Sequence, residues 1–183
     1  MRSQRKILDA TLELIGSEGF EGVTIAAVAH ASGVSRQTVY SIFGSREDLV
    51  SQAVAGLALE VLGNIRARLD STDTAFDYIA ELIVAGRAAV RDEPVLAALL
   101  GAERGNPLFD TGMMARAKPV VRQLLSPLIE REPGLGDDLD DLAEITLRLA
   151  LSVIVFDDEQ VHGDDDLRRF LTRWLRPAMS PGT

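Results

Sequence analysis

Between Thr24 and Leu49 the chain reads TIAAVAHASGVSRQTVYSIFGSREDL, and this segment leaves little freedom in what can be built around it. Thr24 is a good N-cap, because its hydroxyl can accept one of the amides left unpaired at the start of a helix running through Ile25, Val28 and Ala29. That helix is expected to end near Ala31, since Gly33 supplies the positive φ of a tight interhelical turn. Ala29 is small enough to let the next helix cross closely, and Val34 plugs the turn. Ser35 caps the following helix, in which Val39, Ile42 and Phe43 are expected on one buried face. Arg36, Gln37, Thr38, Tyr40 and Ser41 are then left pointing outward. Two short helices crossing at a glycine turn make a helix-turn-helix.

The outward set has the chemistry of a base-reading face. Arg36 can donate two bonds to guanine O6 and N7, Gln37 can pair with adenine N6 and N7, and Thr38 can offer its methyl to thymine or its hydroxyl to a phosphate. Tyr40, Thr24 and Arg46 suit phosphate contacts, which fix register without carrying sequence information, and Ser35 is included in the DNA-contacting set. An ordinary solvated helix face is the competing reading. The Ala-x-x-x-Gly turn and the flanking helices decide against it.

GVSRQTVYSIFGSREDLV resembles the second half of the DNA-binding domain of the tetracycline-repressor (TetR) family, whose usual form is Gly-Val-Ser-x-x-Thr-hydrophobic-Tyr-x-x-Phe-x-Ser-Lys-Glu-x-Leu. The resemblance extends over roughly residues 2 to 55 and takes in RSQRKILDATLELIGSEGF as the first helix. It implies that Thr24, Arg36, Gln37, Thr38, Tyr40 and Arg46 are contact positions, with Arg46 standing where Lys is more common. Two places depart from the pattern: Ser41 and Ile42 replace an aromatic residue and His, and Gly16 lies in the first helix where a bulkier residue is usual.

Composition bounds the remaining possibilities. At 183 residues and 46% hydrophobic, the chain can bury one sizeable helical core and a small one. It has no run of eighteen apolar residues, no charged-then-apolar leader and no cysteine. Membrane insertion and secretion are therefore unsupported, a cytoplasmic location is expected, and thiolate catalysis, redox sensing and Cys-based zinc sites are excluded. The net charge of −9 is unusual for a nucleic-acid binder, so its distribution matters. Through Val50, Arg2, Arg5, Lys6, Arg36 and Arg46 face six acids, so the acidic excess sits mainly in the rest of the chain. Few phosphates are then neutralised per subunit, and useful affinity needs two subunits.

Beyond the motif the pattern stays helical. The expected fold is all-α, about nine helices, with a helix-turn-helix domain over residues 1–47 and a helical effector-binding and dimerisation domain over 48–183. Ser45 caps a long helix to about Leu69 that joins the two. Further helices are expected near Thr72–Arg91, Pro94–Ala102 and Leu108–Glu130, the last broken or kinked at Pro119 and Pro127, whose missing amides free carbonyls near Ala115 and Gln123. From Leu139 to Phe156 more than one helix face is apolar, and a final helix from about Asp164 to Met179 carries aromatic residues rimmed by arginines. Leu149, Val153, Phe156, Leu167, Phe170, Leu171 and Trp174 are the candidate dimer interface, although burial within one subunit would use the same residues. The family resemblance implies a homodimer through these last two helices, reading a palindromic operator.

The resemblance also implies a small-molecule effector bound among the middle helices. Phe76, Tyr78, Arg87, Phe109, Met113 and Met114 are the pocket candidates, and the scarcity of central charge favours a hydrophobic ligand. The expected function is a DNA-binding transcriptional regulator, a repressor released by such an effector, with no cofactor and no enzymatic activity. Ligand-independent or activating regulation is an alternative. In a different class stands a metal-dependent enzyme using the acidic segment Asp157–Asp166 with His162; its spacing matches neither a helical zinc motif nor a calcium loop, and Asp164, Asp165 and Asp166 serve equally well to cap a helix.

Overall fold

A computed structural model describes residues 2–100, 113–156 and 163–179, and among them every regular element is helical. The order is α1 (Arg2–Gly22), α2 (Ile25–Ser32), α3 (Arg36–Phe43), α4 (Arg46–Leu69), α5 (Ala75–Asp92), α6 (Pro94–Leu100), α7 (Met113–Arg131), α8 (Leu139–Val155) and α9 (Asp164–Trp174), with a 3-10 turn at Pro133–Leu135 and a last helical turn at Arg176–Met179. The chain divides into two compact units, residues 1–63 with 91–101, and residues 64–90 with 102–183. The boundary expected at residue 47 lies within the first of these units. α4 continues unbroken from the helix-turn-helix, and Leu49, Ala53 and Leu57 on its first half are buried with the N-terminal unit. By length and composition α4 is apolar enough to cross a membrane, with a mean hydropathy of 1.2 over its best window, but those three residues lie in a protein core.

In the first unit Ile7 and Ile15 of α1, Val28 of α2, Val39 and Phe43 of α3 and Leu57 of α4 share one core. α6 completes it through Val95. Gly16 now has a reason: a Cβ added there would stand 3.0 Å from the Pro94 Cβ, so a glycine lets α6 sit against α1. Gly16→Val is expected to lower stability by about 1–3 kcal/mol through overpacking, read as a shifted denaturant midpoint. An unchanged midpoint would mean that α6 is not seated there.

The second unit is built around α5, ten of whose eighteen residues are buried, the signature of a helix covered on nearly all sides. Thr74 caps it, accepting from Asp77 N at 3.1 Å. α7 runs continuously through Pro119 and Pro127 rather than breaking. The Gln123 carbonyl that Pro127 cannot engage accepts instead from Ser126 Oγ at 2.9 Å. Next to it, buried Tyr78 donates its hydroxyl to Leu124 O at 2.6 Å. α8 takes in all but the last residue of the apolar Leu139–Phe156 stretch, and there is no strand among the described residues. α9 ends at Trp174 and not at Met179, because Pro177 has no amide to continue the ladder.

An ionic cluster ties three helices of this unit. Glu81 of α5 accepts from Arg68 Nε of α4 at 2.7 Å and from Arg168 Nε of α9 at 3.0 Å. Arg168 also donates to Asp165 at 2.8 Å, and Asp164 lies 3.7 Å from Arg68. Glu81 holds the Arg168 guanidinium above its ordinary pKa, against the opposing effect of burial.

Candidate nucleic-acid interface

Three successive caps set the geometry of the recognition unit. Thr24 Oγ1 accepts from Ala27 N at 3.1 Å and starts α2. α2 closes on Gly33, held at φ 68 and ψ 32, with Gly33 N donating to His30 O at 3.2 Å and Val34 N to Ala29 O at 3.0 Å. Ser35 Oγ accepts from Thr38 N at 3.0 Å and starts α3; Ser45 Oγ accepts from Asp48 N at 3.0 Å and starts α4. Each cap is a short-range bond, so both helix crossings are dictated between Thr24 and Asp48.

α3 is anchored by Val39, fully buried, and Phe43, 4% exposed. Arg36, Gln37 and Ser41 are exposed, Tyr40 is 54% exposed, and Thr38 is half-buried. Ser35 and Thr24 stay exposed beside them. Ile42 departs from the expected buried face, being 39% exposed. At about 100° per residue it falls some 60° from Val39 and 100° from Phe43, which puts it at the helix edge.

Arg46 also departs from expectation. Its Nε donates to Val23 O and its Nη2 to Phe20 O, both at the end of α1, while Nη1 lies 3.8 Å from Glu47. Phe20 O lies in the last turn of α1 and Val23 O just past its end at Gly22, where no following helical amide reaches them, so a side chain satisfies both. The guanidinium is therefore a latch across the unit rather than a side chain held out towards phosphate. Arg46→Met is expected to cost about 1.5–3 kcal/mol from two charge-assisted bonds, seen as a lowered melting temperature. Full stability in that variant would return Arg46 to the phosphate-contacting set. With Arg46 so engaged, the exposed cations of the N-terminal segment are Arg36 on α3 and Arg2, Arg5 and Lys6 in the first turns of α1.

Among the described residues the pocket candidates are not brought together. Phe76, Tyr78 and Arg87 are all buried, but Phe76 and Tyr78 are two positions apart on α5 and so point about 200° apart. Tyr78 is fixed on Leu124, and burial pushes its phenol above its ordinary pKa, so the hydroxyl stays a donor. Phe76 lies beneath the Arg176 guanidinium at 4.7 Å and borders an open groove of about 320 Å³ with Asp77, Glu81, Arg168 and Thr172. That groove is polar and not the hydrophobic pocket expected. Met114 is half-buried; Phe109 and the Met113 side chain lie outside the described residues.

The dimer candidates split in two. Leu167 and Leu171 are 0% and 4% exposed, so they pack into the chain's own core. Phe156, Phe170 and Trp174 are 75%, 48% and 63% exposed, and Leu149 and Val153 are half-buried. Ile145 at 50%, one helical turn before Leu149, extends the exposed stripe beyond the expected set. Asp157–His162 lies outside the described residues, whereas Asp164, Asp165 and Asp166 engage Arg68, Arg168 and Arg169, and Asp166 also accepts from Gly163 N at 3.3 Å.

A glycine-turned helix pair that presents an exposed Arg-Gln-x-x-Tyr face beside polar caps defines a DNA-binding protein of the helix-turn-helix class. Residues 7–53 match the family described as bacterial regulatory proteins, tetR family. The HTH-type transcriptional regulator AlkX of Mycobacterium tuberculosis is 28% identical over 188 residues, covering 93% of this chain and 82% of that protein. The HTH-type transcriptional regulator BetI of Brucella anthropi is 30% identical over 86 residues, covering 47% of this chain and 44% of that protein. Among solved structures, the TetR-family repressor AlkX of Dietzia sp. strain DQ12-45-1b, implicated in biodegradation of n-alkanes, superposes with a TM-score of 0.56 at 25% identity over 96% of this chain and 94% of that one. A TetR/AcrR-family regulator of Thermobifida fusca shares the fold at a TM-score of 0.65 and 18% identity, covering 99% of this chain and 100% of that one. Residues 7–53 are thus a DNA-binding domain of the tetR type, the rest of the chain is similar to regulators that carry such a domain, and the protein is a DNA-binding transcriptional regulator.

Proposed function

We propose that the protein is a repressor that binds a palindromic operator as a homodimer in the cytoplasm and is released by a small hydrophobic molecule taken up in the helical unit. The observation that carries the dimer is the exposed apolar face made by Ile145 and Phe156 with Phe170 and Trp174 on the last two helices. Isolated exposed apolar residues are ordinary, but four large ones on two consecutive helices are what an interface provides. A twofold dimer places its two recognition helices about 34 Å apart, the spacing of successive major grooves on one face of DNA. Repression and a lipophilic effector are supported by the likeness to the AlkX repressor implicated in n-alkane biodegradation.

A mobility-shift titration with the DNA just upstream of the protein's own gene tests this reading. A cooperative shift is expected, reversed by a medium-chain n-alkane or by its terminal alcohol or acid. No shift at low salt would overturn operator binding there. A shift unaffected by every such ligand would favour the ligand-independent alternative.

A further inference from the structure

The feature of α3 that the base-reading scheme does not use is Ile42. It is 39% exposed, at the edge of a helix whose other exposed members, Arg36, Gln37, Tyr40 and Ser41, all carry polar groups, and the core beside it is already filled by Val39 and Phe43. Thr38 lies four residues earlier, on the same side of the helix. Its hydroxyl is 2.8 Å from Ser35 Oγ, so the polar end of Thr38 is occupied within the cap and its γ-methyl is the group left to offer a neighbour.

We infer that Ile42 and Thr38 form an apolar edge of the recognition helix that reads thymine 5-methyl groups, which makes Ile42 a specificity-determining residue for DNA recognition. The inference rests on α3 being the helix that enters the major groove. There thymine alone among the four bases presents a methyl group, while the other edges present donors and acceptors. Ile42 can satisfy none of those polar groups, so placing it against cytosine N4 or guanine O6 strips water from them without replacing the lost hydrogen bond. Selection for thymine therefore has two sources: apolar area gained against the methyl, and a penalty against the alternatives. Arg36 and Gln37 read by hydrogen bonding, and this edge adds a readout of a different kind on the same helix.

The test uses the full chain and the strongest duplex that it recovers from a randomised pool, prepared once with thymine and once with deoxyuridine at every thymine. Uracil keeps the hydrogen-bonding edge and lacks only the methyl. Wild type is expected to bind the uracil duplex more weakly, by about fourfold for each thymine methyl that the edge covers. Ile42→Ala is expected to bind the thymine duplex more weakly and to lose most of the sensitivity to uracil. Ile42→Val should keep most of it, and Thr38→Ser, which retains the cap hydroxyl, should lose part. Ile42 is outside the core, and thermal melts of each variant verify folding. Equal binding of wild type to both duplexes, or an undiminished uracil penalty in Ile42→Ala, would overturn the inference while leaving DNA recognition by α3 intact. Failure to enrich any sequence from the pool would overturn both.

Discussion

Arg36→Ala is expected to weaken binding to the specific duplex by about tenfold to a hundredfold per half-site, the worth of one bidentate guanine contact. Affinity for random duplex should fall far less, because a base contact carries discrimination while phosphate contacts carry general affinity. The structure makes the variant clean. Arg36 is the first residue of α3, exposed, and outside the caps made by Ser35 and Ser45, so its removal leaves the helix in place. Tyr40→Phe provides the contrast: Tyr40 is 54% exposed, and removing its hydroxyl should weaken specific and random binding together. Competition titrations followed by fluorescence anisotropy separate the two patterns. Equal losses on both duplexes in Arg36→Ala would move Arg36 from reading to positioning.

The second large effect is expected at the exposed face of the last two helices. Trp174→Asp should convert a dimer into monomers in sedimentation while leaving the fold stable to within about 0.5 kcal/mol, since Trp174 is 63% exposed and its ring meets the neighbouring Arg173 guanidinium at 5.0 Å. Specific binding should fall on the order of a hundredfold or more in consequence, because a single half-site leaves few phosphates neutralised by an acidic chain. Leu171→Asp, one helical turn after Leu167 and 4% exposed, is expected instead to unfold the second unit, since it buries an unpaired charge. A Trp174→Asp protein that remains dimeric would place the interface elsewhere.

What is legible in the sequence depends on near neighbours. Thr24, Ser35 and Ser45 cap helices through bonds three residues long, and Gly33 takes its left-handed conformation because the turn requires it, so each is visible from residue type and spacing. Ile42 and Arg46 escape such a reading for different reasons. Ile42 is apolar and near the buried row, but the row is only as wide as Val39 and Phe43. Arg46 has the charge of a phosphate contact, yet its destination is a pair of carbonyls 23 and 26 residues away, left free where α1 ends. On α9 the pattern shows four large apolar residues; Leu167 and Leu171 occupy the inner row, while Phe170 and Trp174 stand one row outside, a choice made by the neighbouring helices and not by α9. The pocket is least legible, because α5 is buried nearly all round and its lining and its packing residues are of the same types.

The central claim is that two copies of this chain read DNA through α3. Hydroxyl-radical footprinting of the full-length protein on its strongest selected duplex tests that directly. The expected result is two symmetry-related protected patches on one face of the helix, about 34 Å apart, both lost in Arg36→Ala at concentrations that saturate wild type. A single patch, or a footprint that survives Arg36→Ala unchanged, would contradict it.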